Sequence, residues 1–144
     1  MLVSQILNSK TEVGVISIRP DATLTAAAEL LSSKRIGVVI VSKEEGKPLG
    51  ILSERDIVRD LGEKGPACLS GLVSQLMTKK MVTCVGTDTA DAVLETMTRG
   101  RFRHMPVMDG DEMIGMISIG DAVKARLAEL SMERDALEGM VMGH

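Results

Sequence analysis

Two short stretches of the chain place a hydroxyl three residues before a carboxylate, in the same local context each time. Each stretch reads Gly, two apolar residues, Ser, two variable residues and Asp, and they occupy residues 50–56 and 115–121. The polar positions are Ser53 and Asp56 in the first copy and Ser118 and Asp121 in the second. A carboxylate has two acceptor oxygens, which suit a cis-diol such as the 2′- and 3′-hydroxyls of ribose. A helix N-terminus beside it suits phosphate.

The Ser-x-x-Asp motif also has a purely structural interpretation. A Ser at a strand-to-helix junction can cap the helix by accepting a backbone N–H from its first turn. An Asp three residues later lies in that first turn, where negative charge suits the helix dipole. Because a duplication copies caps as well as sites, the repetition does not decide between a cap and a ligand site.

A second candidate site is the basic stretch at residues 99–107, which reads Arg-Gly-Arg-Phe-Arg-His-Met-Pro-Val. It is either a solvated basic turn or an anion site, since the Arg guanidinium presents a fork that matches phosphate oxygens. Pro106 lacks a backbone N–H, so we expect it at the edge of a sheet, where a base could meet main-chain groups.

The elements that would position these residues also occur twice. Residues 23–29 align with residues 89–95, and Arg35 aligns with Arg101, so the duplication extends well upstream of the motifs. Periodicity and turn residues predict the order β-α-β-β-α in each half. A repeat of this length predicts an α/β (α+β) fold of two similar units packed about a pseudo-twofold axis, with two similar clefts.

The predicted element bounds follow from apolar spacing and from Gly and Pro. Strands are predicted at residues 13–18, 37–41, 49–52, 81–85, 105–108 and 113–118. Helices are predicted at about residues 2–9, 23–33, 53–61, 73–77, 89–98 and 119–138, with Thr23 as a cap and Gly139 as a stop signal. The predicted organisation is a lead-in helix at 1–12, a first repeat at 13–61, a linker with a short helix at 62–77, a second repeat at 78–130 and a helical tail at 131–144.

Composition excludes several classes of protein. The chain of 144 residues has one Phe, no Trp and no Tyr, so its core must be aliphatic, with 11 Met as gap fillers. Few aromatic residues and a net charge of −3 argue against nucleic acid as a partner. No signal peptide and no membrane-spanning run is recognisable. Cys68 and Cys84 have neither zinc-type nor redox spacing, so we expect no metal and a reduced, cytoplasmic setting.

An enzyme is the less favoured class. The sequence has no Walker A loop, no Gly-x-Gly-x-x-Gly after a strand, no His-Glu-x-x-His and no nucleophile with a local signature. Its two His are His104 and His144, and the first lies in the strand-edge motif. We therefore predict no catalytic residues. A dimeric structural protein with vestigial clefts is a third alternative.

The full set of motifs, in order and twice, resembles a pair of cystathionine β-synthase (CBS) domains, the Bateman module. Residues 103–107 match a phrase common in the second domain of such pairs, and residues 36–41 match its counterpart in the first. The resemblance covers about residues 13–130 and is to small stand-alone bacterial proteins in which the pair is almost the entire chain. It implies binding of AMP, ADP, ATP, NAD or S-adenosylmethionine in the cleft between the repeats.

The resemblance also implies roles for individual residues. Asp56 and Asp121 would hold ribose hydroxyls, with Ser53 and Ser118 beside them. The remaining implied contacts fall into three groups: main-chain contacts to the base from Ser17, Ile18, Thr83 and Cys84; a base pocket lined by Gly37, Val38, His104 and Met105; and phosphate contacts from Arg55, Arg101 and Arg103. Pro106, which follows Met105, is also counted among the ligand-binding residues.

The two halves are not identical at these positions. Glu54-Arg55 is replaced by Ile119-Gly120, and the first half lacks a His-Pro pair, so we expect the two clefts to bind differently. CBS pairs commonly form flat dimers through their helices, and Leu127, Leu130, Leu137 and Val141 form an apolar stripe on the last helix. We therefore predict a homodimer that acts on a partner enzyme or transporter.

Overall fold

The computed structural model describes residues 1–10 and 14–142, and these divide into two compact units. We call them the Asp56 unit, residues 14–82 and 110–114, and the Asp121 unit, residues 1–10, 83–109 and 115–142. Each unit contains a three-stranded sheet and helices in the order β-α-β-β-α. The mixed α and β class and its twofold repetition are therefore confirmed.

In the Asp56 unit, the sheet has the order β1-β2-β3, with β1 parallel to β2 and β2 antiparallel to β3. Its elements are β1 (Ser17–Ile18), α2 (Leu24–Lys34), β2 (Val38–Glu44), β3 (Lys47–Ser53), α3 (Glu54–Lys64), a 3-10 helix (Pro66–Ser70) and α4 (Val73–Leu76). Apolar side chains of α2, β2, β3, α3 and α4 form one buried core. The β-branched run of β2 supplies the centre of that core, as expected for a strand covered by helices.

In the Asp121 unit, the sheet has the order β4-β5-β6, with β4 parallel to β5. Its elements are α1 (Val3–Ser9), β4 (Cys84–Val85), α5 (Ala90–Gly100), β5 (His104–Asp109), β6 (Glu112–Ser118) and α6 (Ile119–Val141). The first three residues of β6, 112–114, belong to the Asp56 unit, and the rest of the strand belongs to the Asp121 unit. Met97 and Met105 are buried among aliphatic side chains, as the composition predicts.

Local chemistry explains where the paired helices α2 and α5 begin and end. Thr23 caps α2 and Thr89 caps α5, each hydroxyl accepting a backbone N–H at 3.1 Å. Both helices end on an arginine in the left-handed region, Arg35 at φ 54° and Arg101 at φ 58°. The predicted cap at Thr23 is confirmed, and its repetition at Thr89 shows that the duplication preserved both ends of the helix.

Several predicted bounds are wrong, for identifiable reasons. The first strand of each unit has only two residues, Ser17–Ile18 and Cys84–Val85, and each pairs with two residues of the middle strand. Of the predicted strand at 13–18, Val13 lies outside the described residues. Helix α6 continues past Gly139 to Val141, since one glycine costs a helix only about 1 kcal/mol. The predicted break after Leu61 is also wrong, because α3 continues to Lys64.

The expected edge position of Pro106 is wrong as well. Its strand, β5, lies between β4 and β6. The pairing between β4 and β5 begins only at Cys84↔Val107, so the ladder does not need a donor from the residue before Val107. A proline is tolerated in this central strand because its neighbour is so short.

Candidate functional site

The first Ser-x-x-Asp motif forms a reciprocal capping box at the start of α3. The Asp56 N–H donates to Ser53 Oγ at 3.2 Å, and both the N–H and the hydroxyl of Ser53 donate to Asp56 Oδ2 at 2.9 Å. Arg59 donates to the other carboxylate oxygen at 2.9 Å. The motif therefore does cap the helix, as its structural interpretation predicts. These hydrogen bonds hold the Asp56 side chain in place, and it is 17% exposed.

The second motif builds the same box at the start of α6. The Asp121 N–H donates to Ser118 Oγ at 3.0 Å, and the Ser118 N–H donates to Asp121 Oδ2 at 2.9 Å. The cation that meets this carboxylate comes from a distant part of the sequence. Lys10 Nζ donates to Asp121 Oδ2 at 2.9 Å and to the Met116 carbonyl at 3.0 Å.

The surroundings of Asp121 favour its charged form. Burial alone would raise the pKa of this carboxyl group, but the Ser118 backbone N–H, the Lys10 ammonium and the Ser118 hydroxyl outweigh it. The pKa of Asp121 is therefore lowered from its ordinary value of 3.8. A charged carboxylate is a stronger hydrogen-bond acceptor than a neutral carboxyl group.

One backbone hydrogen bond in each unit ties the box to the start of the middle strand. The Glu54 N–H donates to the Gly37 carbonyl at 2.8 Å, and the Ile119 N–H donates to the Arg103 carbonyl at 2.8 Å. Val38 also pairs with Ser53 in the register of β2 and β3. In the Asp56 unit the structure therefore brings the predicted base-pocket residues beside the predicted ribose residues.

The residues predicted to contact the base through their main chains lie in the short strands β1 and β4. Ser17 pairs with Ile40, Cys84 pairs with Val107, and Thr83 directly precedes β4. Cys84 is buried, with its thiol 3.7 Å from the Pro106 carbonyl, and burial raises its pKa to about 11. Its side chain is therefore part of the core, which leaves its main chain for the predicted contact.

The basic stretch is spread over the end of α5 and the start of β5. Arg99 pairs with Glu95 on the same helix at 2.6 Å, Arg101 ends that helix, and Arg103 is exposed before the strand. His104 is half-buried, whereas Met105 and Pro106 are buried. In the other unit, Arg55 is exposed on the first turn of α3. The phosphate contacts of these arginines stay predictions.

Our sequence reasoning missed Lys10, although a signal was present. Residues 2–7 read Leu-Val-Ser-Gln-Ile-Leu, and residues 72–77 read Leu-Val-Ser-Gln-Leu-Met. Val3 and Val73 occupy equivalent positions, each 0% exposed, the first in the core of the Asp121 unit and the second in that of the Asp56 unit. Extending the duplication to these helices would have marked Lys10, whose counterpart Lys80 is exposed.

Residues 1–10 and 14–142 contain neither a membrane-spanning helix nor a cluster of metal-binding side chains. No helix in these ranges is both long enough and apolar enough to cross a membrane. No group of three or more His, Cys, Asp or Glu side chains in them could hold a metal ion.

Two β-α-β-β-α units with a Gly-apolar-apolar-Ser-x-x-Asp box in each define a tandem-repeat module. The sequence profile of the CBS domain matches residues 3–63 and 73–128. The chain therefore belongs to the CBS-domain family, as the resemblance implied.

Known relatives agree with this assignment. A CBS-domain-containing protein of Agrobacterium tumefaciens is 41% identical, with a TM-score of 0.82 over 88% of this chain and 99% of that one. A CBS-domain protein of Pyrobaculum aerophilum, complexed with AMP, is 26% identical, with a TM-score of 0.76 over 92% of this chain and 99% of that one. The mitochondrial CBS-domain-containing protein CBSX3 of Arabidopsis thaliana is 32% identical over 85% of this chain, which spans 62% of that protein's length.

Proposed function

We propose that this protein is a regulatory module that binds an adenosine nucleotide through its Ser-x-x-Asp motifs and acts on a partner protein. The observation that carries the proposal is the box itself, because Ser53 and Asp56 form the same two reciprocal backbone-to-side-chain hydrogen bonds as Ser118 and Asp121. The candidate ligands are AMP, ADP, ATP and the adenylate half of NAD.

The chemistry of the box suits such a ligand. Each box holds a charged carboxylate at a helix N-terminus, a place that also favours the negative charge of a phosphate. A ribose would donate its two hydroxyls to the carboxylate, and its base would lie towards Gly37 and Val38 or towards His104 and Met105. The AMP complex of the Pyrobaculum aerophilum relative supports an adenosine ligand here.

The two units offer the nucleotide different surroundings. The carboxylate of Asp56 is paired with Arg59 of the same helix, whereas that of Asp121 is paired with Lys10, which follows α1. The Asp121 unit also has Arg101 and Arg103 where the Asp56 unit has Arg35 and Gly37. We therefore propose unequal affinities, with the phosphate end of the nucleotide bound more tightly in the Asp121 unit.

A second candidate function is that of a structural dimerisation module. Both Ser-x-x-Asp boxes cap a helix, which favours this function because a helix cap stabilises the fold without any ligand. The apolar stripe of α6 also supports a contact between two copies. Its members are exposed as follows: Leu127 61%, Leu130 44%, Leu137 62% and Val141 87%.

We propose a homodimer under either function. The stripe lies mostly beyond residue 128, where the match to the CBS profile ends. A row of large exposed apolar side chains on one helix usually marks a contact surface. The regulated partner would be an enzyme or a transporter, and we propose no catalytic role for this chain.

A panel of nucleotides tests the two functions. The melting temperature of the full chain is measured with AMP, ADP, ATP, NAD and GMP, and any turnover of the ligand is monitored in parallel. A ligand bound only by the folded state at 100 times its Kd adds about 2.7 kcal/mol of stability. Stabilisation by AMP that exceeds stabilisation by GMP, without turnover, supports the regulatory module. If no adenosine compound shifts the melting temperature at millimolar concentration, the structural dimerisation module is the favoured function.

A further inference from the structure

We propose that Lys10 is an internal competitor for the nucleotide in the Asp121 unit: its ammonium occupies the carboxylate that a ribose would use, and a bound nucleotide displaces it. This inference rests on the proposed function and concerns the regulation of that same site. It assigns a role to a residue outside both Ser-x-x-Asp motifs.

The geometry of the contact is that of an occupied site. Lys10 Nζ lies 2.9 Å from Asp121 Oδ2, the oxygen that also accepts the Ser118 N–H at 2.9 Å. Both side chains are only 24% exposed, so water does not fully replace the lost partner when the pair separates. A ribose diol needs both carboxylate oxygens, and one of them already has two donors.

The ammonium is held from a second side as well. Lys10 Nζ also donates to the Met116 carbonyl at 3.0 Å, in the strand that leads into the box. The residue directly follows α1, which is fixed by Val3 and Ile6 in the core and by the hydrogen bond from the Val3 N–H to the Asp88 carbonyl at 2.8 Å. The competitor is therefore anchored to the same unit and is present at a high effective concentration.

The Asp56 unit provides an internal comparison. Counted from the matched residues 2–7 and 72–77, the residue at the position of Lys10 is Lys80, which is exposed. The cation on Asp56 is instead Arg59, which is 63% exposed and belongs to the same helix as the carboxylate. A long, exposed side chain can swing away at little cost, so the competition is specific to the Asp121 unit.

Calorimetric titration of AMP into the full chain tests the competition. Lys10→Met keeps the apolar stem and removes the charge, so it should tighten AMP binding by about fivefold, the upper value for a pair of this exposure. Lys10→Arg restores a cation and should return the affinity towards that of the wild type. Lys80→Met is the matched control and should leave the affinity unchanged.

A second measurement uses the wild-type chain and does not depend on the folding of a variant. Lysine side chains are acetylated briefly with and without saturating AMP, and the extent at each lysine is read by mass spectrometry. Displacement should increase labelling of Lys10 and leave that of Lys80 unchanged. Equal or lower labelling of Lys10 with AMP bound would overturn the competition.

The outcomes separate this inference from the proposed function. If AMP binds the wild type and Lys10→Met equally, or binds the variant more weakly, the competition is wrong while the nucleotide module stands. If AMP binds neither protein at millimolar concentration, both proposals fail. Binding by Lys10→Met that exceeds binding by the wild type supports both.

Discussion

Replacing Asp121 by alanine separates the two interpretations of the Ser-x-x-Asp motif in one variant. If the carboxylate accepts hydrogen bonds from a ribose, its removal takes away bonds to a charged group, each worth about 1.5–3 kcal/mol. The affinity of the Asp121 unit for AMP should then fall roughly ten- to a hundredfold. If the motif is only a cap, the affinity should not change.

The same substitution also lowers the stability of the folded protein. The Ser118 N–H loses its acceptor at 2.9 Å in a half-buried place, a cost of about 1–2 kcal/mol. Lys10 loses its partner but is 24% exposed, so the ion pair adds about 1 kcal/mol at most. For a domain of this size each kcal/mol lowers Tm by roughly 2–4 °C. We expect the free energy of unfolding to fall by about 1–3 kcal/mol.

A matched control lies in the same unit. Asp91 is in the first turn of α5 and pairs with Arg126 at 2.9 Å, so it is also a helix-start carboxylate with a basic partner. Asp91→Ala should lower the melting temperature without changing AMP affinity, whereas Asp121→Ala should change both. Both variants are compared with the wild type by calorimetric titration and thermal melting. AMP binding by Asp121→Ala at wild-type affinity would refute the ribose assignment.

Three further predictions concern stability, reactivity and assembly. The folded pKa of Asp121 is lowered, so its contribution to stability is present above its ordinary pKa of 3.8 and is lost as the pH falls through the folded value. The stability advantage of the wild type over Asp121→Asn, read from urea denaturation, should therefore be present at pH 6 and should shrink as the pH falls below about 4. Cys84 is buried with a pKa of about 11, so in the native protein it should resist alkylation at pH 8, as followed by mass spectrometry. Light scattering should give twice the chain mass of 15.4 kDa, and Leu137→Glu on the exposed stripe should give the monomer.

Each of these has a result that would contradict it. If the stability difference between the wild type and Asp121→Asn persists unchanged at pH 3, Asp121 does not titrate in the expected pH range. Alkylation of native Cys84 as fast as in urea would mean that its strand is open to solvent. A molar mass near that of a single chain, measured for the wild type at micromolar concentration, would refute the homodimer.

Much of the fold could be predicted because its signals are local. The caps at Thr23, Ser53 and Ser118 each depend on residues within three positions, and all three are observed. The β-branched run at residues 38–41 similarly identifies a buried strand. The order of elements then follows from the duplication, since a pattern that is ambiguous once is constrained when it occurs twice.

The rest depends on contacts between distant residues, which local patterns do not encode. Nothing in the spacing of α1 indicates that Val3 and Ile6 pack with Met97 and Ala122. For the same reason the partner of Asp121 could not be predicted from its neighbours in the sequence. The two-residue length of β4 is likewise not encoded in its own sequence, and because β4 pairs only with Val107 and Met108, Pro106 is tolerated in a central strand.

The place of α1 in the Asp121 unit has a consequence for synthesis on the ribosome. Residues 3–9 are translated well before Ala122 and Ala125, which complete the core that buries Val3 and Ile6. The core of the Asp56 unit has its last fully buried residue at Val73, so all of its buried residues are translated earlier. Helix α1 therefore cannot complete its packing until the last helix has been synthesised.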